Sequence, residues 1–270
     1  MEFESREVPP PTTRRGSRRG GRMIVLVCTF VVLGLVAGAV VLFLLWKRES
    51  GHATSLTVPE GWRSAQVYDA VDRAVGAEPG TAKKTAATAD LGLPAAAKGN
   101  PEGYLFPATY PVKDGTTAQS LLTYMVKTAK ERLGTGPGAH RDLVIASIVQ
   151  AEADTPQDMG KVARVIDNRM ARDMPLQMDS TLNYAMNRST LDTTHEDTRL
   201  DSPYNTYQRK GLPPTPIGNP GLDALRATRT PPPGDWLYFV TVKPGDTRFT
   251  HDYEVQKRNV AEFNENRRRS

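Results

Sequence analysis

At residues 145–152 the chain reads Ile-Ala-Ser-Ile-Val-Gln-Ala-Glu. Ile145, Ile148 and Val149 recur at the spacing of one helical face. Glu152 falls on the same face, one turn later. A carboxylate at a position where the pattern calls for an apolar side chain is desolvated, and desolvation raises the pKa of an acid. The segment therefore predicts a helix that ends in a candidate general acid. The alternative is that Glu152 is an ordinary exposed carboxylate at a helix end.

Residues 23–46 form an apolar run without a charged side chain. At about 1.5 Å per residue, a helix of this length reaches roughly 36 Å, enough to cross a hydrocarbon core of about 30 Å. The run ends in Trp46, Lys47 and Arg48, which is typical of an interfacial anchor, so we expect a retained transmembrane helix. A cleaved signal peptide is the alternative, although its apolar region is usually only about 7–15 residues long.

Positive charge beside the predicted span indicates its orientation. The residues before it include Arg6, Arg14, Arg15, Arg18, Arg19 and Arg22. Such an excess favours the cytoplasmic side, so the N-terminus is predicted to be inside. Residues 1–22 then form a basic cytoplasmic tail, disordered because it has little to bury. Everything after residue 48 is predicted to lie outside the cytoplasmic membrane.

Composition argues against several function classes. The only cysteine, Cys28, lies in the predicted span, so the outer part has neither a disulfide nor a cysteine metal ligand. The four histidines lack the spacing of a zinc hydrolase, and neither a metal nor a cofactor is expected. The net charge of +5 owes much to the arginine-rich tail, which argues against nucleic acid as a partner.

Strand and helix patterns are mixed along the outer part and predict an α+β fold. The expected strands are 53–58, 109–112 and 236–242, the last being the clearest buried strand and pairing with 248–250. The expected helices are 64–75, 116–133, 141–153, 155–172, 222–227 and 253–264. Residues 76–100, rich in Ala, Gly, Lys and Thr, are predicted to be a linker or loose helices with little to bury. A change in composition at residue 100 predicts a module boundary.

Residues 174–220 show little regular pattern and are rich in polar, aromatic and proline residues. A long irregular region in a compact domain is usually functional. Tyr204, Asn205 and Tyr207 are typical of a sugar-binding wall and are candidate substrate contacts. A packed aromatic loop is the alternative. Asp179 is either a second carboxylate near the cleft or a turn residue.

Six motifs follow one another along residues 55–264. They are Val58–Gly61 (Val-Pro-Glu-Gly), Glu102–Tyr110, Ala146–Glu152, Leu176–Thr181, Tyr204–Tyr207 with Gly211–Pro214, and Tyr238–Val240. In this order they resemble the YceG-like (MltG) family of endolytic murein transglycosylases. The resemblance implies a single-pass membrane enzyme that cuts nascent peptidoglycan strands internally, with Glu152 as the catalytic acid.

The resemblance also implies a domain organisation. A shortened LysM-like module with its linker would occupy residues 53–100, a mixed α/β catalytic domain 101–264, and a C-terminal tail 265–270. Within the Leu176–Thr181 motif, Gln177 joins Asp179 as a candidate substrate contact. The implied partners are peptidoglycan glycan strands, the cytoplasmic membrane and, by family analogy, peptidoglycan polymerases.

Two other functions stay open from the sequence. A non-catalytic peptidoglycan-binding or scaffold protein could keep the same fold. A hydrolytic muramidase would need a base to activate water, for which Asp179 is the only evident candidate.

Overall fold

The computed structural model of the chain describes residues 54–134, 136–189 and 193–269. These residues belong to one compact unit. The predicted tail at 1–22 and the predicted span at 23–46 lie outside them. Within the described ranges, no helix is both long and apolar enough to cross a membrane.

Helices and short strands mix along the described residues, which confirms the α+β prediction. The strands are β1 Thr54–Thr57, β2 Thr109–Val112, β3 Tyr238–Lys243 and β4 Asp246–Thr250. The helices are α1 Ser64–Val75, α2 Thr81–Thr88, α3 Ala118–Leu133, α4 Ala139–Glu152, α5 Pro156–Ala171, α6 Asp179–Ala185, α7 Leu222–Arg229 and α8 Tyr253–Arg269. Short 3₁₀ turns lie at Ala95–Ala97 and Asp197–Arg199.

The first sheet brings together two distant parts of the chain. β1 pairs antiparallel with β2, with Leu56 opposite Tyr110. Helices α1 and α2 lie between the two strands in sequence, and α1 packs on β1. The boundary predicted at residue 100 therefore runs between two paired strands.

Helix α2 confirms the helical alternative for residues 76–100 and corrects the expectation that this segment has little to bury. Ala82 and Ala86, one turn apart, are buried, and Leu91 follows them into the core. The helix packs against α1 on one side and α3 on the other. Alanine has little apolar surface, so a face made of alanines gives a weak sequence pattern even though it allows helices to approach closely.

Helix α4 lies at the centre of the domain and packs against α5, α6 and α7. Every side chain from Leu143 to Val149 is buried. Ile145, Ile148 and Val149 are thus buried as the pattern predicts, and the residues between them are buried too, because neighbours cover this helix on several sides. Ala151 is exposed and Glu152 is only half-buried, so the helix emerges from the core at its last turn.

Helix α5 begins as the sequence predicts. The Thr155 side chain accepts a hydrogen bond from the Asp158 backbone N–H at 3.1 Å, and Pro156 takes the first helical position. Only Ala153, Asp154 and Thr155 separate α4 from α5. This tight connection holds the end of α4 beside the start of α5.

The C-terminal hairpin differs from its prediction in burial. β3 pairs with β4, and α8 packs against β3, yet only Val242 of β3 is buried. The expectation of a buried strand at 236–242 was wrong because this ribbon has only two strands and part of its surface stays open. Helix α8 continues through Arg269, so the predicted tail at 265–270 is mostly helix.

Candidate active site

Glu152 is the last residue of α4 and faces the first turn of α6. The Ser180 hydroxyl donates a hydrogen bond to Glu152 Oε1 at 2.6 Å, and the Ser180 backbone N–H donates a longer one at 3.4 Å. The sequence pattern of residues 174–220 predicts no helix. Because α6 begins at Asp179, its first turn presents two consecutive polar residues, Asp179 and Ser180, to the end of α4.

The surroundings of Glu152 favour its protonated form. Burial raises the pKa of the carboxyl, and the negative charge of Asp179 raises it further. The Ser180 hydrogen bonds oppose this shift, because they stabilise the ionised form, but the net direction of the pKa is upward. A glutamic acid that stays protonated to higher pH than usual is suited to donate a proton.

Asp179 and Tyr207, both predicted as substrate contacts, contact each other. The Tyr207 hydroxyl donates to Asp179 Oδ1 at 2.5 Å. Burial and the Asp179 carboxylate both raise the pKa of Tyr207, with a smaller contribution in the same direction from Glu152. Tyr207 therefore stays a neutral donor, and it holds one oxygen of the carboxylate that flanks Glu152.

Arg169 supports the segment that leads into α6, and sequence analysis missed it. It is 7% exposed and donates to the carbonyls of Leu176 at 2.9 Å, Pro175 at 3.1 Å and Leu237 at 2.6 Å. It also donates to Gln177 Oε1 at 3.3 Å, although the Gln177 residue as a whole is exposed. The sequence does contain a signal for this role, because Arg169 is a cation three residues after Ile166 and therefore falls on the buried face of α5.

Asn205 organises the Tyr204–Tyr207 loop from inside. It is fully buried, and its amide donates to the carbonyls of Leu200 at 2.7 Å and Thr198 at 3.1 Å. Its carbonyl oxygen accepts from the Tyr207 backbone N–H at 3.0 Å. The structure therefore shows a loop-bracing residue, and substrate contact by Asn205 stays a prediction that its burial disfavours.

Tyr204 is half-buried and packs against another tyrosine. Its hydroxyl hydrogen-bonds Thr215 Oγ1 at 2.7 Å, and its ring lies 4.9 Å from that of Tyr184 on α6. These contacts match the packed aromatic loop that the sequence left open as an alternative. A glycan contact through the exposed part of Tyr204 stays a prediction.

A cleft of about 570 Å³ opens beside Ser180. One wall is the turn between β1 and α1, and the other is formed by the end of α4 and by α6. Its lining consists of Glu60, Gly61, Trp62, Arg63, Gln66, Gln150, Ala151, Ser180, Asn183, Ser189 and Ile217. The β1–α1 turn is not among the predicted site residues, because its contact with α6 through Arg63 and Tyr184 leaves no local signal in the sequence.

Asn219 fixes the position of that turn. Its side chain accepts from the Leu105 backbone N–H at 2.8 Å and donates to the Trp62 carbonyl at 2.8 Å. Its backbone also bonds Gly61 and Trp62. Nearby, Gln150 of α4 accepts from the Gly221 backbone N–H at 2.9 Å. The cleft wall is thus tied to the helix that carries Glu152.

A second hollow, of about 790 Å³, lies between α5, α7 and Trp236. It contains none of the predicted site residues. Within the ranges that the structure describes, no group of three histidine, cysteine, aspartate or glutamate side chains is placed to hold a metal ion.

Two of the curated relatives each match more than half of the chain. Both are named endolytic murein transglycosylase. The Bacillus subtilis (strain 168) protein is 37% identical over 158 residues, which cover 55% of this chain and 44% of the relative. The Streptococcus pneumoniae serotype 2 (strain D39) protein is 38% identical over 175 residues, which cover 60% of this chain and 32% of the relative. The matched region thus spans less than half the length of these relatives.

A solved structure and a family model extend the match. The crystal structure of a YceG-like protein from Listeria monocytogenes superimposes with a TM-score of 0.66 at 31% identity, covering 76% of this chain and 75% of that one. The model of the YceG-like family matches residues 37–262, which include both walls of the cleft and Glu152. By this match, the chain belongs to the YceG-like family.

Proposed function

We propose that this chain is a lytic transglycosylase that cuts peptidoglycan glycan strands internally and leaves 1,6-anhydromuramic acid ends. The observation that carries the proposal is the environment of Glu152, a half-buried acid with a raised pKa, bonded to Ser180 at the edge of a cleft. Membership of the YceG-like family and the names of the curated relatives support the same activity.

In the first step Glu152 acts as a general acid. Its proton goes to the glycosidic oxygen between N-acetylmuramic acid and N-acetylglucosamine, and the bond to the muramic C1 breaks. The 2-acetamido group of the muramic residue stabilises the positive charge that develops at C1. One protein carboxyl is then sufficient for this step, whereas most glycosidases use two.

In the second step Glu152, now ionised, acts as a general base. It takes the proton from the muramic 6-hydroxyl, whose oxygen bonds to C1 and closes the anhydro ring. The Ser180 hydroxyl donates to the ionised carboxylate and holds its orientation between the two steps. The glutamic acid is regenerated, and no water is consumed.

Hydrolysis is the second candidate reaction, because Asp179 lies close enough to Glu152 to raise its pKa. A muramidase would require Asp179 to activate a water molecule. The Tyr207 hydroxyl already donates to one Asp179 oxygen, so that oxygen is occupied and cannot accept a proton from water while this contact is kept. This contact favours transglycosylation, and the mass of the product ends distinguishes the two, since anhydro ends are lighter by one water.

Glu152→Gln tests the proposal. Glutamine keeps the shape of the side chain but cannot donate a proton to a leaving oxygen. General acid–base assistance is typically worth about 10²–10⁴-fold, so turnover of purified glycan strands should fall at least about a hundredfold. The matched control is Glu78→Gln, an exposed residue in the loop after α1, which should leave turnover unchanged. Normal formation of anhydro ends by Glu152→Gln would remove Glu152 from the mechanism, and their absence in the unmodified chain would favour the scaffold alternative.

The location of the enzyme is part of the proposal. Residues 23–46 anchor the chain in the cytoplasmic membrane with residues 1–22 inside, so that the described domain faces the cell wall. Proximity to peptidoglycan polymerases follows by analogy with the family. We assign the shortened LysM-like module to the β1–α1–α2–β2 unit, in which two helices lie between antiparallel strands. The pairing of β1 with β2 supports an end at Val112.

A further inference from the structure

The cleft beside Ser180 carries two opposite charges on one wall. Glu60 and Arg63 both line it, three residues apart in the β1–α1 turn. They form no ion pair with each other or with any other charged side chain in the described ranges. Arg63 is the only cationic residue among those that line the cleft. Because the two charges are not paired with each other, both can bind a ligand that carries a positive and a negative group.

Arg63 is held in place with donors to spare. Its Nη2 donates to the Arg188 carbonyl at 2.9 Å, and its guanidinium carbon lies 5.3 Å from the centre of the Tyr184 ring. Its remaining side-chain N–H groups have no acceptor among the described residues. A guanidinium that is positioned in advance loses little freedom on binding and can take a carboxylate through two parallel hydrogen bonds.

Glu102 lies behind Arg63 and gives the structural alternative. Glu102 is 5% exposed and accepts from the Ser64 backbone N–H at 2.9 Å and the Tyr184 hydroxyl at 3.2 Å. The charge of Arg63 lowers the pKa of this carboxyl, against the larger upward effect of burial. Arg63 could therefore serve only to balance Glu102, without touching substrate. An experiment must separate that role from ligand binding.

Glu60 is exposed and makes no hydrogen bond through its side chain to any described residue. Its carboxylate lies directly over Gly221, where an added Cβ would overlap it. Gly221 is itself bonded to Gln150, two residues before Glu152. The absence of a side chain at Gly221 thus leaves room for the Glu60 carboxylate at the cleft wall.

We propose that this cleft binds the peptide stem of the muramic acid residue in an uncrosslinked strand. Arg63 takes a carboxylate of the stem, and Glu60 takes the free ammonium of its diamino acid. Crosslinking converts that amine to an amide, so the pair selects stems that have not been joined to a neighbour. The proposal rests on the proposed function, since it places the stem beside the carboxyl that cuts the glycan.

Three matched substrates test the assignment: uncrosslinked strands with stems, the same strands after N-acetylation of the free amine, and strands stripped of stems by an amidase. A hydrogen-bonded charge pair contributes about 1.5–3 kcal/mol, or roughly tenfold to a hundredfold. The unmodified full-length chain should therefore cut stem-bearing strands at least about tenfold better, by kcat/KM, than stripped strands. N-acetylation of the free amine should cause part of the same decrease in kcat/KM.

Variants then assign the charges. Arg63→Gln should lower kcat/KM about tenfold on stem-bearing strands, mainly through KM, and leave stripped strands unaffected. Arg63→Lys should restore part of the loss. Glu60→Gln should remove the effect of acetylation. Arg73→Gln is the matched control, because Arg73 is an exposed cation in the last turn of α1, the helix that Arg63 precedes, and this variant should behave as the unmodified chain.

Equal losses for Arg63→Gln on stem-bearing and stripped strands would overturn the proposal, because they indicate a role in holding Glu102 or a contact with the lactyl carboxylate that stripping leaves behind. Calorimetric binding of a muramyl pentapeptide to the Glu152→Gln chain gives a result that needs no turnover. Binding that weakens about tenfold with the further change Arg63→Gln supports the stem site even if the proposed chemistry fails. No binding, alongside normal anhydro products, overturns the stem site alone.

Discussion

Ser180→Ala should move the alkaline limit of activity to higher pH. The Ser180 hydroxyl donates to Glu152 at 2.6 Å and so stabilises the ionised carboxylate. A hydrogen bond to a charged group is worth about 1.5–3 kcal/mol, and about 1.4 kcal/mol is tenfold in an equilibrium constant. Loss of the hydroxyl should therefore lower the ionised fraction of Glu152 about tenfold. The lower end of this energy range applies because Glu152 is only half-buried, so that a water molecule can replace the Ser180 hydroxyl as donor.

The measurement is the pH dependence of kcat/KM for release of anhydro ends, recorded from acidic to alkaline pH. The unmodified enzyme should lose activity on the alkaline side as Glu152 ionises, and Ser180→Ala should lose it later. At the optimum, Ser180→Ala should be slower, since the ionised Glu152 has lost the donor that orients it for the second step. Ser189→Ala is the matched control, because Ser189 lines the same cleft and is not bonded to Glu152.

An alkaline limit that stays in place, or that moves to lower pH, would refute this reasoning. The first result would mean that another group sets the limit. The second would mean that Ser180 favours the protonated acid, as an acceptor from Glu152 rather than a donor to it. Either result would change the assignment of the proton in the resting site.

Three further predictions concern stability and topology. Glu152→Gln should raise the melting temperature at neutral and alkaline pH but not at acidic pH. Because the pKa of Glu152 is higher in the folded chain than in the unfolded one, its ionisation destabilises the fold as pH rises above the ordinary glutamate range. Glutamine does not ionise, so the variant avoids this loss of stability. Asn219→Ala should lower the free energy of unfolding by about 2–4 kcal/mol in urea titrations, because it leaves the Leu105 N–H and the Trp62 carbonyl without the side chain that pairs them. A reporter that functions only outside the cytoplasm should be active when it is fused to the C-terminus. An inactive reporter, together with an active cytoplasmic one, would reverse the proposed orientation.

Much of the helical framework is predictable because its causes are local. Helix α5 follows from Thr155, Pro156 and a regular apolar spacing, and α3 from its own apolar face with Thr117 as cap. Helix α6 was missed because it is short and its buried residues include Thr181 and Asn183, which give no apolar pattern. The burial of β3 was overestimated because an apolar run does not show whether a second layer covers it.

The candidate site was predictable only in its parts. Glu152, Asp179 and Tyr207 stand out as residue types, but the Asp179–Tyr207 contact spans 28 residues of sequence and has no local signal. Ser180 also contacts Glu152 across 28 residues, and Arg63 contacts the Arg188 carbonyl across 125. Such contacts depend on how elements pack. A single sequence therefore predicts a candidate acid but not the residues that hold and surround it.

The β1–α1 turn connects the N-terminal sheet to the cleft beside the end of α4, where Glu152 lies. The Asn219 side chain bonds both the Trp62 carbonyl in the turn and the Leu105 backbone N–H. The Gln150 side chain, two residues before Glu152, accepts from the backbone N–H of nearby Gly221. Strand β2 pairs with β1 just before this turn, so a displacement of the sheet would move Glu60 and Arg63 relative to Glu152. A glycan strand held by the N-terminal unit and a stem held by the turn would then be aligned with the carboxyl by the same hydrogen bonds. The two proposals together therefore predict that binding and cleavage are coupled through the hydrogen bonds of Asn219 rather than carried by independent modules.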